Sequence, residues 1–340
     1  MKKTKIAING FGRIGRLFFK QVLKNPNIEI VAINDLGDID NLAYLLKYDT
    51  VYGRYDKEVK ITDGSISVAG QKIKYLQIKD PAQLPWKDLA VDIVIESTGV
   101  FESYEKAKVH LDAGAKRVVI TAPAKDADNP NGQTVLIGVN EEAFQTCRIT
   151  SNGSCTTNAA SPIIQIMHET VGIEKAVLNT VHGYTATQNI VDGPTKGKDF
   201  RRGRAAAQNI TPSTTGAAAA VTRAIKELSG KFDGMAMRVP VPAGSIADIT
   251  FLSKKNTTAE EVNKILKKAA SEPRWNKVLK VSDDLLVSSD ILGEPYGAIV
   301  DLNFTKVVDG NLVKILSWYD NEAGYVKTLV EHVLKAAETI

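Results

Sequence analysis

The chain has 340 residues, 44% of them hydrophobic and 24% charged, with a net charge of +4. That length suggests two domains, and the composition is that of a globular protein rather than a disordered or collagen-like one. Two cysteines eight positions apart exclude a disulfide framework and a Cys-x-x-Cys pair, and no stretch reaches the roughly 18 apolar residues of a membrane span.

In chain order, the first 150 residues alternate strands with amphipathic helices. The start is basic, but the apolar run after Lys5 is short and broken by Asn9 and Gly10, so it does not read as a signal peptide. With so few cysteines, a reducing, cytoplasmic setting is expected. Residues 5–9 form a short strand. Ile14, Leu17, Phe18, Val22 and Leu23 mark a helix over 14–24, and 28–34 is the next strand. Strands at 91–96 and 118–121 flank a helix near 103–113 that stops at Gly114. Such alternation builds a parallel sheet covered by helices.

Beyond residue 153 the pattern changes. A helix over 159–171 ends at Gly172, and strands then dominate at 176–182, 235–240, 246–253, 298–307 and 312–319. Several alternate with period two, which predicts an antiparallel sheet with one wetter face. Helices are expected at 217–228, at 325–337, and after Thr258, where Thr258 and Glu261 read as a capping box for a helix through Lys268. Residues 182–211 show little periodicity and are rich in Gly, Lys and Arg; long irregular segments inside domains are often functional.

Gly10-Phe11-Gly12-Arg13-Ile14-Gly15 follows the first strand and opens the first helix, and Asp35 closes the second strand 20 residues after Gly15. That context turns a common glycine pattern into a dinucleotide fingerprint. Gly10 makes the tight turn, Gly12 admits a pyrophosphate to the helix N-terminus, and Gly15 lets helix and strand close up. A carboxylate at Asp35 accepts ribose hydroxyls and repels a 2′-phosphate, so NAD is expected over NADP.

Cys155 lies in Ser154-Cys155-Thr156-Thr157-Asn158, just ahead of a helix. A thiol there feels the positive end of the helix dipole, which favours the nucleophilic thiolate. His182 ends a strand before Gly183, whereas His110, His168 and His332 fall on predicted helices, where packing roles are expected. Cys155 and His182 are the expected catalytic pair, the imidazole acting as acid and base. No metal site is expected. Anion-binding features follow: the basic cluster at 196–204, Thr215-Gly216 at the start of an Ala-rich helix, and Arg238 within an apolar strand, where an unpaired guanidinium is costly. Only Phe200 interleaves the cluster with an aromatic, so it does not read as a nucleic-acid platform.

Taken in order, Asn9 to Arg16, Ser154 to Asn158, His182-Gly183-Tyr184-Thr185-Ala186-Thr187-Gln188, Thr214-Thr215-Gly216-Ala217-Ala218, Met237-Arg238-Val239-Pro240 and Trp318-Tyr319-Asp320-Asn321-Glu322 resemble the phosphorylating NAD-dependent glyceraldehyde-3-phosphate dehydrogenases along essentially the whole chain. The resemblance implies a Rossmann-type doubly wound α/β domain over 1–153. It also implies an α+β catalytic domain with a mainly antiparallel sheet over 154–320, and a C-terminal helix, 321–340, returning to the first domain. Cys155 would be the nucleophile and His182 its partner. Ser154, Thr156, Thr215 and Gly216 would hold inorganic phosphate, while Thr185, Arg202 and Arg238 would hold the phosphate of glyceraldehyde 3-phosphate. Arg13, Ile14, Asp35, Lys79, Thr121 and Asn321 would contact NAD. The segment from about 183 to 208 would be the family's S-shaped loop at the interfaces of a homotetramer. Ala159 stands where the family usually has a second cysteine, so a disulfide at that pair is excluded. Rival readings are the same machinery acting on erythrose 4-phosphate or with water as acyl acceptor, semialdehyde chemistry on a similar plan, and RNA binding through the basic cluster.

Overall fold

The computed structural model describes residues 3–195 and 197–340. Lys196, part of the basic cluster read from the sequence, lies outside the described residues, as do Met1 and Lys2. The chain divides into two compact units: the chain to Val135 with Glu141–Gly153 and Leu329–Ile340, and Leu136–Asn140 with Ser154–Thr328.

The first unit is built from β1 (Thr4–Asn9), α1 (Arg13–Val22), β2 (Ile28–Asn34), α2 (Ile39–Lys47), the short pair β3 (Tyr48–Asp49) and β4 (Gly53–Arg54), then β5 (Val59–Thr62), β6 (Ser65–Val68), β7 (Gln71–Leu76) and β8 (Ile93–Glu96). Two single-turn helices, α3 (Tyr104–Ala107) and α4 (Val109–Asp112), precede β9 (Arg117–Ile120), β10 (Gly132–Thr134) and β11 (Ile149–Ser151). Nine strands form one sheet in the order β10-β11-β9-β8-β1-β2-β7-β6-β5. It is parallel from β10 to β7 and antiparallel only where β5, β6 and β7 meander. β1 and β8 are buried along most of their length, as expected for strands covered on both faces. The single helix expected over 103–113 is divided at Lys108, and Ser103 caps its start by accepting from the Lys106 N–H.

The second unit contains α5 (Cys155–Thr170), β12 (Ile173–Gly183), β13 (Thr211–Thr214), α6 (Ala217–Ala224), β14 (Phe232–Val239), β15 (Ser245–Ser253), α7 (Ala259–Ser271), β16 (Leu279–Ser282), β17 (Ala298–Val308) and β18 (Leu312–Tyr319). Its sheet runs β13-β14-β12-β15-β18-β17-β16. Four of the six neighbour pairs are antiparallel; β12 with β14 and β16 with β17 are parallel. Along β15 buried and half-buried residues alternate strictly, giving one face to the core and the other outward.

α5 begins four residues before the apolar periodicity does, because its first turn is polar and is held by a cap rather than by packing. Ser154 Oγ accepts from the Thr157 N–H and the Thr157 hydroxyl accepts from the Ser154 N–H, a reciprocal capping box. The box expected at Thr258 is only half made: Thr258 caps Glu261, but the Glu261 carboxylate accepts from the Thr257 hydroxyl. The last helix, α8 (Ala323–Ala337), starts in the second unit and ends in the first. Residues 184–210 are irregular apart from a single 3-10 turn, Phe200–Gly203, among those described.

Candidate active site and nucleotide cleft

In the first unit, Gly10 leaves β1 with φ +98°. A Cβ there would lie 2.6 Å from the Ser97 carbonyl carbon and the Thr98 nitrogen, so only glycine fits. At Gly15 a Cβ would be 2.2 Å from the Gly10 carbonyl oxygen, which is the close helix–strand approach expected there. Gly12 is different: a Cβ would meet nothing within 4 Å. As N-cap of α1 it provides no side-chain hydrogen bond, so the first N–H groups of the helix keep their anion-binding capacity.

A cleft of about 510 Å³ adjoins this turn, lined in part by Gly10, Gly12, Asn34, Asp35, Lys79, Ser97, Thr98 and Phe101. The Asp35 carboxylate is fixed by the Phe11 N–H at 2.6 Å and the Gly37 N–H at 2.8 Å, one on each oxygen. Each oxygen retains lone-pair capacity for a further hydroxyl. An open glycine at a helix N-terminus, a fixed carboxylate at the second strand end and a concave cleft between them fit a dinucleotide. Of the residues expected to hold it, Gly10, Gly12, Asp35 and Lys79 line the cleft, and Arg13, Ile14, Gly15 and Thr121 do not. Arg13 is instead paired with Asp49 at 2.7 Å, its guanidinium lying over the Tyr52 ring. The Thr121 hydroxyl donates to the Glu96 carbonyl. Asn321 belongs to the second unit, where its side-chain oxygen accepts from the Gly244 N–H and the Ser245 hydroxyl.

The second unit assembles the thiol site. Cys155 is the first residue of α5, and its Sγ lies 3.3 Å from His182 Nε2 on β12. Parallel pairing of β12 with β14 puts His182 opposite Arg238, and Arg238 Nη1 comes within 2.7 Å of His182 Nδ1. Nδ1 is also 2.7 Å from the Gly183 carbonyl oxygen. Below the pair, Tyr319 Oη bridges the hydroxyls of Thr156 at 2.8 Å and Thr180 at 2.6 Å, and its ring meets His182 edge to face.

Burial raises the Cys155 thiol above its ordinary value, opposed by the Arg238 charge and by the N–H groups of Thr156 and Cys155 at the helix start. Burial, with the Arg238 charge next, pushes His182 down to about 3. Each charged form is thus disfavoured singly. Moving the proton from sulfur to nitrogen creates both charges at once, 3.3 Å apart, where attraction offsets much of the desolvation. The two groups therefore titrate as a pair.

The other expected anion ligands fall in four places. Ser154 Oγ is committed to the cap of α5. Arg202 donates to Thr187 at 3.0 Å and Ser213 at 2.7 Å, and Thr187 in turn meets Thr185 at 2.9 Å. Thr215 Oγ1 accepts from the Ala217 N–H beside Gly216, the N-cap of α6. Arg238 bonds His182, and the Arg202 charge is close enough to act on both. Tyr319 has no role legible in the sequence: an aromatic hydroxyl at a strand end gives no periodic signal that distinguishes it from a core tyrosine.

Residues 4–104 match the family model for the glyceraldehyde 3-phosphate dehydrogenase NAD binding domain, and residues 154–321 match that for its C-terminal domain. The glyceraldehyde-3-phosphate dehydrogenases of Streptomyces coelicolor and Geobacillus stearothermophilus are each 48% identical over 330 residues, covering 96% of this chain and 96% of theirs. That of Clostridium pasteurianum is 46% identical over 331 residues with the same coverage. Likeness at this level, carried through both the nucleotide-binding half and the half that holds the thiol and imidazole, places the chain in the glyceraldehyde-3-phosphate dehydrogenase family.

Proposed function

We propose that this chain oxidises D-glyceraldehyde 3-phosphate to 1,3-bisphosphoglycerate, with inorganic phosphate as acyl acceptor and NAD as oxidant, the reaction shared by glycolysis and gluconeogenesis. The observation that carries the reading is the 3.3 Å approach of Cys155 Sγ to His182 Nε2 at the start of a capped helix. His182 takes the thiol proton, and the thiolate adds to the aldehyde carbon to give a thiohemiacetal alkoxide. The imidazolium Nε2–H stabilises that oxygen, and N–H groups at the start of α5 share its charge. Gly10, Gly12, Asp35 and Lys79, which line the cleft, would hold NAD, whose nicotinamide would serve as the hydride acceptor. Loss of hydride leaves the acyl group on Cys155 as a thioester. Phosphate oxygen then attacks the carbonyl, the C–S bond breaks, and acyl phosphate leaves as the thiolate is restored.

Arg238 and the Arg202–Thr185 cluster are assigned to the substrate phosphate, and Thr156, Thr215, Gly216 and Ser154 to the attacking phosphate. Ser154 serves its cap through the side chain and would serve an anion through its place in the turn. Arg13, Ile14, Gly15, Thr121 and Asn321 are assigned to the cofactor side on the family likeness. The functional unit is a homotetramer in the cytoplasm: Ile190, Val191, Phe200 and Ile210 of the irregular segment are exposed, as a surface that meets other copies would be. Among the described residues no helix is long and apolar enough to cross a membrane. RNA binding is not required, and in the basic cluster Arg201 pairs with Asp199 and Arg204 with Asp192.

NADH formation from NAD and glyceraldehyde 3-phosphate, run with and without inorganic phosphate, tests the reading. Sustained turnover that requires phosphate is expected. Equal turnover without it makes water the acceptor, and faster turnover with erythrose 4-phosphate reassigns the substrate.

A further inference from the structure

Beneath the nucleotide cleft lies a buried polar chain that the reaction does not use. Glu96, at the end of β8, and His110, on α4, have side chains 1% and 0% exposed. Glu96 Oε2 accepts from Asn9 Nδ2 at 2.6 Å and from His110 Nε2 at 3.0 Å. Its other oxygen accepts from the Thr98 N–H at 2.9 Å and from the Thr98 hydroxyl. Asn9 Oδ1 accepts from Asn34 Nδ2 at 2.8 Å, and the Asn34 amide clasps the Ile78 backbone, accepting from its N–H and donating to its carbonyl. Asn9, Asn34, Ile78 and Thr98 all line the cleft.

The direction of every bond in this chain is fixed from its ends. At one end the Ile78 N–H can only donate, so Asn34 presents Oδ1 to it and Nδ2 to Asn9. Asn9 must then point its own Nδ2 at Glu96. At the other end the Trp86 indole N–H can only donate, and it meets His110 Nδ1 at 3.1 Å. A neutral His110 therefore carries its proton on Nε2 and donates it to Glu96. The Thr98 N–H is a third fixed donor. Three fixed donors, from Asn9, His110 and the Thr98 backbone, converge on Glu96, and each of its two oxygens must accept at least one of them.

We propose that Glu96, oriented by His110, is a positioning residue for the cofactor: it holds the ends of β1, β2 and β8 and the Ile78–Lys79 backbone at the spacing the dinucleotide requires. The proposal rests on reading this cleft as the NAD site. A carboxyl group offers no attraction to a pyrophosphate, so the contribution of Glu96 is geometric. Glu96→Gln is isosteric, yet either orientation of the amide sets an N–H against a fixed donor. One link must then open, at Asn9 or at Thr98, and both are cleft residues.

The test is the equilibrium dissociation constant of NAD, and separately of ADP-ribose, for wild-type and Glu96→Gln proteins well below their melting temperatures. Glu96→Gln is expected to weaken both ligands about tenfold, within the cost of an unsatisfied buried donor. The KM for NAD should rise by the same factor, while kcat at saturating NAD stays within about twofold. A folded Glu96→Gln protein that binds both ligands as wild type does, or that loses kcat with affinity unchanged, overturns the role. If Glu96→Gln does not fold, His110→Phe, which keeps ring volume away from the cleft lining, is read in the same way. Wild-type protein that binds neither ligand defeats the reading of the cleft itself, a result separate from equal binding by wild type and variant.

Discussion

The hydroxyl chain beside Cys155 has a direction. Thr180 donates to the Ile246 carbonyl at 3.2 Å, which leaves its oxygen to accept from Tyr319; Tyr319 in turn accepts from Thr156. The Thr156 proton is thereby committed, and what its side chain offers toward the thiol is a lone pair. Burial, with Cys155 nearby, holds the Tyr319 phenol well above its ordinary range, so it remains a donor at any working pH. Tyr319→Phe would leave the Thr156 hydroxyl, itself almost fully buried, without an acceptor, at a cost of about 1–3 kcal/mol. With Thr156 free to turn beside the nucleophile, kcat/KM is expected to fall roughly tenfold to a hundredfold. Steady-state kinetics and thermal melts check this; lowered stability with unchanged kcat/KM would confine Tyr319 to packing. Cys155 and His182 could be read from residue type and flanking sequence. Tyr319 and Glu96 could not, because their importance lies in which partners the fold brings to them.

At the scale of elements, α5 shows how a local device places a reactive atom. The capping box between Ser154 and Thr157 starts the helix at Cys155, so the thiol sits in the first turn, where N–H groups lack intrahelical partners. Ser154→Ala should cost about 1 kcal/mol in stability. The same fraying should slow alkylation of Cys155 by iodoacetamide at neutral pH; a thiol reacting as in wild type would mean that tertiary packing alone fixes the turn. The sequence held this signal in Ser154 and Thr157, but apolar spacing drew the helix start to 159. Other overlooked signals are equally local. Asp63-Gly64 joins β5 to β6 and Asp309-Gly310 follows β17, every one of these residues at positive φ, the pairing a tight hairpin turn requires. The long core strands were legible because continuous or alternating apolar runs mark them. The meander of β5 to β7 alternates too, with Val59/Ile61, Ile66/Val68 and Ile73/Tyr75, but in runs too short and too polar to stand out.

Across the whole molecule, acid should act on both units through buried neutral histidines. His182, in the second unit, and His332, in the first, are each pushed down to about 3, chiefly by burial and then by a neighbouring arginine: Arg238 for His182, Arg117 for His332. In the unfolded chain each titrates near 6.5. Between those values the unfolded state binds more protons than the folded one, so the contribution to stability is complete above about 6.5 and declines as pH falls toward 3. The slope is about 1.4 kcal/mol per pH unit for each histidine. From pH 7 to pH 5 each should therefore cost roughly 2 kcal/mol. His332 is the cleaner test, being outside the thiol site: its Nε2 meets the Thr150 hydroxyl at 2.7 Å and its ring packs edge to face on Phe144. His332→Gln should be less stable than wild type at pH 7, having lost that packing. It should also lose about 2 kcal/mol less than wild type between pH 7 and pH 5, because glutamine does not titrate. Urea unfolding of both proteins at the two pH values measures the difference. Equal losses would mean that His332 takes up its proton within the folded unit, which burial in that position and the nearby Arg117 charge both oppose.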